Sequence, residues 1–265
     1  MLYGAMNFPV RPILEEIDEI AALGFDYLEL AMDPPDAHYS TIRDNRPQIQ
    51  SALSAHSMQL VCHLPTFVSI ADLTESIRQA SLDEMYNSLE VAAELNALKV
   101  VLHPGHIGGL ASFVMDMALD LGIKSLNAII AKAHRLGLSV CLENMFPRIQ
   151  SFYEPSHFTD ILERLPDLKL TLDSGHANIG VRNEQKIFEF IRQFGNRIGH
   201  VHLSDNLGHR DDHLPIGEGT INFQKIAEAL NGCGYDDTIT LEIFSEDRRQ
   251  LQVSRDAFAG MLKKT

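Results

Sequence analysis

The stretch KLTLDSGHANIGVRNEQKIFEFIRQFGNRIGHVHLSD, residues 169–205, holds the pattern that decides the fold. It opens on a β-rich run, Lys169–Asp173, and closes on another, Ile198–Leu203. Between them EQKIFEFIRQFG spaces its apolar residues at helical intervals and stops at Gly195, where a C-cap is expected. Each run ends on a side chain that can bind a metal or a proton, Asp173 in the first and His202 in the second.

The same unit recurs along the whole chain. Further β-rich runs are Leu2–Met6, Tyr27–Leu30, Gln59–His63, Lys99–His103, Ser139–Glu143 and Thr238–Ile243. The segments PILEEIDEIAALG, RPQIQSALSAHS, LDEMYNSLEVAAELN, LNAIIAKAHRLG, HFTDILERLP and FQKIAEALNGCG read as helices between them. Gly24, Gly137 and Gly232 stand where C-caps belong, and residues 33–40, DPPDAHYS, read as a loop. Eight strands alternating with helices, closed by EDRRQLQVSRDAFAGMLKK (residues 246–264), predict an α/β fold: a (β/α)8 TIM barrel spanning residues 1–265 as a single domain. A doubly wound sheet fits less well, since no G-x-G-x-x-G follows the first strand.

Charge and cysteine content narrow the function. A formal net charge of −14 repels phosphate backbones and anionic membranes, so nucleic acid is a disfavoured partner. Cys62, Cys141 and Cys233 are odd in number and lack C-x-x-C spacing, which argues against a disulfide framework or a thiolate zinc site. With no spanning apolar run and no leader pattern, a soluble cytoplasmic protein is expected, with a homo-oligomer left open.

In a TIM barrel the chemistry gathers at the C-terminal ends of the strands. There stand His63, His103, Glu143, Asp173, His202 and Glu242. Side chains alternate faces, so Val61, Val101, Cys141, Thr171, His200 and Thr240 should share the interior one layer deeper. Any one rim residue could be a satisfied turn or core group. Six at one rim cannot, because clustered carboxylates repel unless a cation or a shared proton joins them. His176 follows Asp173 by three residues, and Asp211 with His213 forms a D-x-H pair after the seventh strand. Mixed carboxylate and imidazole ligands suit a divalent metal, zinc or manganese foremost, at one to three ions per chain. Glu29, at the end of the second strand, is expected to hydrogen-bond a Lys or Arg within the barrel. The glycines of GEG (217–219) offer N–H groups to an anion or simply form a turn. Phe67, Met145 and Phe146 follow rim residues and are candidates for pocket walls.

The motifs HPG at His103, LEN at Glu143, LDSGHA at Asp173, HVHLSDN at His202, DDHLPIGEGTINF at Asp211 and LEIF at Glu242 resemble the xylose-isomerase-like barrel superfamily. That superfamily includes sugar-phosphate isomerases, sugar 3-epimerases and endonuclease IV, and the resemblance covers essentially the whole chain. For the epimerases it implies one metal on Glu143, Asp173, His202 and Glu242, with Glu143 and Glu242 as acid/base groups and His176 touching a substrate hydroxyl. His63, His103 and Arg210 would bind a sugar or polyol substrate. For endonuclease IV it implies further ions on His63, His103 and the bridging Glu143, and on His176, Asp211 and His213. All nine positions carry the matching residue type. DSGH stands here where endonuclease IV has DTCH, and the acidic surface offers little grip on a duplex. The sequence therefore reads as a metal-dependent sugar or sugar-phosphate isomerase or epimerase of carbohydrate metabolism. The alternative is an endonuclease IV-like zinc phosphodiesterase acting at abasic sites.

Overall fold

Strands of a closed parallel barrel are covered on both faces, so they carry apolar residues on both. In the computed structural model, which describes residues 1–180 and 184–263, eight strands are buried over most of their length, with polar residues on the inward faces of those that carry Thr171 and Thr240. They are β1 (Leu2–Met6), β2 (Tyr27–Ala31), β3 (Gln59–His63), β4 (Val100–Leu102), β5 (Val140–Glu143), β6 (Lys169–Asp173), β7 (Ile198–Leu203) and β8 (Thr238–Leu241). Each pairs in parallel with the next, and β8 pairs back onto β1, closing the barrel without a free edge.

The helices lie outside: α1 (Ile13–Ala22), α2 (Tyr39–Asp44), α3 (Arg46–Ala55), α4 (Glu75–Glu94), α5 (Met115–Arg135), α6 (Ser156–Arg164), α7 (Ser174–Asn178), α8 (Gln185–Phe194), α9 (Phe223–Gly232) and α10 (Arg249–Leu262). The amphipathic stripe of α8 buries Ile187, Phe190, Ile191 and Phe194, spaced so that all four face the sheet. Outward-facing strand residues such as Leu30, Leu102, Leu172 and Leu241 complete that core. Among the described residues, no helix is long and apolar enough to cross a membrane.

The sequence pattern missed several boundaries. Helix α2 begins at Tyr39 and takes the last two residues of the expected loop. Helices α4 and α5 start seven and eleven residues earlier than expected: the first six residues of α4 are exposed or half-buried, whereas the early buried positions of α5, Ala118, Gly122 and Ser125, are small residues that give a weak apolar signal. Gly24 and Gly137 take the left-handed conformation of a helix end. Gly195 and Gly232 do not. Gly232 is the last residue of α9 and Gly234 makes the turn, whereas a Cβ on Gly195 would meet that of Cys233 at 2.8 Å. Residue 264 of the expected closing helix lies outside the described residues.

Inside the barrel, Tyr27, Val61 and Val101 pack as a separate apolar layer. The ring of Tyr27 fits only because β1 carries Gly4: a Cβ there would stand 2.1 Å from it. Gly4→Ala is therefore expected to destabilise the fold by about 1–3 kcal/mol through overpacking. Chemical denaturation should show a lowered midpoint, partly recovered when Tyr27 is shortened to Leu.

Candidate active site

At the C-terminal end of the barrel, alternation of side chains aims the rim residues at a common axis. His63, Glu143 and Asp173 end their strands, His103 and Glu242 follow β4 and β8 by one residue, and His202 is paired in register with Asp173. Nδ1 of His202 lies 3.5 Å from Glu143 Oε1, 3.5 Å from Asp173 Oδ2 and 3.2 Å from Glu242 Oε2. All four side chains are buried, and His202 Nδ1, Asp173 Oδ2 and Glu242 Oε2 accept or donate no hydrogen bond. Unpaired buried polar atoms are costly, yet here three of them converge. Four ligands at the bond lengths of a tetrahedral zinc site stand about 3.4 Å apart, so the spacing suits a divalent cation between them.

A second set shares Glu143. Its Oε2 lies 3.3 Å from His63 Nε2 and 3.2 Å from His103 Nε2. The Nδ1 of His63 faces the Leu64 carbonyl at 2.9 Å, so in the neutral ring the proton sits on Nδ1 and the lone pair on Nε2. A third set forms on Asp211, whose Oδ2 lies 3.1 Å from His176 Nε2 and 3.0 Å from His213 Nε2. Their Nδ1 atoms face the Asn144 and Glu242 carbonyls, the outer hydrogen bonds typical of metal-ligating imidazoles. The other Asp211 oxygen is buried without a partner. All nine residues singled out from the sequence as metal-competent thus meet at one end of the barrel.

The charges explain why these groups tolerate burial. Desolvation alone would raise the pKa of Glu143, but the neighbouring His103 and His202 hold it well below the usual carboxylate range. Burial pushes Asp173 up. For His63 burial works downward and is outweighed by Glu143, which holds the imidazole at about 9; His213, facing Glu242 and Asp211, also reaches about 9.

Beneath the rim, Glu29 is fully buried and its partners are not the Lys or Arg expected. Its two oxygens accept from His202 Nε2 and His200 Nε2, each at 2.9 Å, and Thr240 donates to it as well. Glu29 comes from β2 and the imidazoles from β7, across the barrel, so no local pattern joins them. His200 is thus more than packing: it shares the carboxylate that orients His202.

Two supports escaped the sequence reading. Asn144 Oδ1 accepts from Asp173 N at 2.8 Å and its Nδ2 donates to Asp173 O at 3.0 Å, locking the rims of β5 and β6 together. Its place directly after Glu143 in LEN was the available signal. Asp173 Oδ1 caps α7 by accepting from His176 N at 2.6 Å, which fixes His176 over the site. Asp205 settles the role of GEG: its carboxylate accepts from the N–H groups of Asn206, Gly217, Gly219 and Ile221. The glycine donors are consumed within the protein, and the loop that carries Asp211 and His213 is tied down.

Arg210 does not reach the site. It is 84% exposed and pairs with Asp212 at 2.9 Å, because the loop turns its side chain outward. Above the rim lies a cavity of about 750 Å³. Its floor is His63, His103, His176, Asp211, His213 and Glu242, and its walls include Phe67, Met145 and Phe146, as expected.

A family model described as "Xylose isomerase-like TIM barrel" matches residues 17–264. The chain belongs to the xylose isomerase-like TIM barrel family. Within that family, the crystal structure of a D-tagatose 3-epimerase-like protein superposes with a TM-score of 0.90 at 29% identity, covering 100% of this chain and 98% of that one. Protein MJ1311 of Methanocaldococcus jannaschii is 30% identical over 249 residues, which is 91% of this chain and 83% of the relative. Fructoselysine 3-epimerase of Escherichia coli O157:H7 is 21% identical across 95% of this chain and 94% of its own length.

Proposed function

We propose that this protein is a metal-dependent isomerase or epimerase acting on a sugar or sugar phosphate by proton abstraction next to a carbonyl. The observation that carries the reading is the convergence of Glu143, Asp173, His202 and Glu242 on one point with three orphaned ligand atoms. The similarity to a D-tagatose 3-epimerase-like protein and to fructoselysine 3-epimerase supports it.

Glu143, Asp173, His202 and Glu242 would hold a divalent cation, zinc or manganese, which polarises a substrate carbonyl and its neighbouring hydroxyl. Glu143 and Glu242 rise from β5 and β8, so a substrate carbon seated over the rim meets one carboxylate on each face. Glu143, held ionised, removes the α-proton at a carboxylate oxygen. Glu242, which despite its burial His213 and His202 also hold below its ordinary pKa, would first take a proton from water and then return it to the other face, and Glu143 would release its own proton to water afterwards. His176, capped onto Asp173, donates to a substrate hydroxyl. His63 and His103 line the same floor and hold the remainder of the sugar. The test is incubation of metal-loaded protein with a panel of ketoses and ketose phosphates in D2O. Deuterium at the α-carbon is expected with at least one, and none with any of them would overturn the reading.

The sharing of Glu143 between two sets, and the His176–Asp211–His213 set beside them, favours a second reading. A site with two or three ions would suit hydrolysis of a phosphoester, with Glu143 as the bridge. Metal analysis of protein purified without chelator separates the two: one ion per chain accords with sugar chemistry, three with hydrolysis.

Removing the metal should be visible in stability. A ligand at a hundredfold excess over its Kd contributes about 2.7 kcal/mol. For a chain of this size chelation is then expected to lower Tm by roughly 5–10 °C. The effect should depend on pH. In the metal-free protein His63 and His213 lie near 9, above their ordinary value, so both are protonated at neutral pH. Their contribution to metal-free stability is complete below about pH 6.5 and is lost as pH rises through about 9. If, as in the second reading, these imidazoles hold metal, binding displaces those protons and apparent affinity rises from pH 6 to 9. Calorimetry in buffers of different ionisation enthalpy counts the protons released.

A further inference from the structure

The buried carboxylates of this protein are, with one exception, matched within the chain. Glu16 pairs with Arg11 and Arg248, Glu29 with His200 and His202, and Asp205 accepts four backbone N–H groups. Glu143, Asp173 and Glu242 face imidazoles across the metal-competent cluster. Asp33 is the exception. It is only 4% exposed, and Oδ1 accepts one hydrogen bond, from Thr66 N at 3.0 Å. Among the described residues its other oxygen has no partner.

Asp33 follows β2 and lines the cavity above the rim, beside Pro34, Pro65, Phe67 and Val68. The side chains of those four offer no donor, although the Thr66 hydroxyl lines the same cavity. Among the described lining residues the one Lys or Arg is Arg148, which is exposed and makes no ion pair with Asp33. A carboxylate that is 4% exposed, holds a single amide donor and opens onto the cavity would interact strongly with a cation brought beside it. A hydroxyl would supply a hydrogen bond but no charge.

We propose that Asp33 is a recognition site for an ammonium group on the substrate, so that the cavity takes an amino-substituted sugar or sugar conjugate. The inference rests on the reading of this cavity as the seat of a carbohydrate. The metal-competent cluster would take the oxygenated end of such a molecule, while Asp33 Oδ2 accepts N–H donors from a cationic group further along it.

The test uses metal-loaded protein and pairs of ketose derivatives that carry the same short alkyl arm, ending in an ammonium or in a methyl group. Arms of graded length cover the unknown reach. Calorimetric titration is expected to show a preference of roughly 10- to 100-fold for the ammonium member at the best arm length, the range of a hydrogen bond to a charged group. Asp33→Asn keeps an oxygen for the Thr66 N–H and should abolish that preference. Binding of the methyl member and the metal content should stay unchanged. Equal binding of both members by the wild-type protein at every arm length would overturn the proposal, and so would a preference that survives D33N. Deuterium exchange on the same compounds keeps the two readings apart. An ammonium preference without exchange leaves the cation site standing and overturns the isomerase, whereas exchange without the preference does the reverse.

Discussion

Glu143→Gln is expected to lower α-deuterium exchange by roughly 10²–10⁴-fold, the usual worth of a positioned acid/base group, with a further loss from weakened metal binding. Glu143 carries this weight because it is the residue common to two sets. One oxygen faces Nδ1 of His202 and the other faces His63 and His103. An amide must present an N–H to one of them, so the substitution removes the base and also disturbs a ligand position. Glu242→Gln should reduce exchange as well, but it leaves the His63 and His103 set intact. Exchange followed by NMR, together with metal atoms per chain, separates the contributions. His103→Ala then decides what the second set does. If it holds sugar, KM rises at constant metal content, whereas if it holds an ion the count falls by one. Exchange unchanged in Glu143→Gln would remove this residue from the chemistry.

The rim was legible because period-2 alternation and barrel topology convert sequence position directly into place. A strand-final His63 or Asp173 can point only to one end of the barrel and toward its axis. The D-x-H pair stood out by its residue types in the loop after the seventh strand, but nothing there could orient Arg210, since no periodicity governs a side chain in an exposed loop. Glu29 and His202 stand 173 positions apart in sequence and meet only when β2 and β7 face each other across the barrel. Likewise the use of GEG as a donor to Asp205 depends on a loop folding back on itself, which a turn-forming composition permits but does not specify. The start of α4 was hidden for a different reason. Residues 75–80 are exposed or half-buried, so their helix is set by continuity with the buried face that begins at Ser81.

The partnership hidden from the sequence has the sharpest consequence for metal binding. With Glu29 accepting from Nε2 of His202, that nitrogen keeps its proton, so Nδ1, which faces Glu143, Asp173 and Glu242, is the atom left to give up its proton to a cation. Desolvation alone would raise the pKa of Glu29, yet His202 and His200 hold it well below the usual carboxylate range, so it is a full anion at neutral pH. Such carboxylate–histidine pairs fix the ring tautomer and increase its basicity, and their loss typically costs 10- to 100-fold in metal affinity. Glu29→Gln removes the charge and confronts His202 or His200 with an amide N–H. The imidazole at His202 can then move its proton to Nδ1, the atom the metal needs. Affinity for zinc, measured by competition with a chromophoric chelator, is therefore expected to fall by about 10- to 100-fold. A merely structural role for Glu29 would lower Tm of the metal-free protein and leave that affinity unchanged. The tautomer argument requires the opposite ranking: His200→Gln, which keeps a donor toward Glu29 but leaves His202 alone, should bind zinc far more tightly than Glu29→Gln even where the two are equally destabilised.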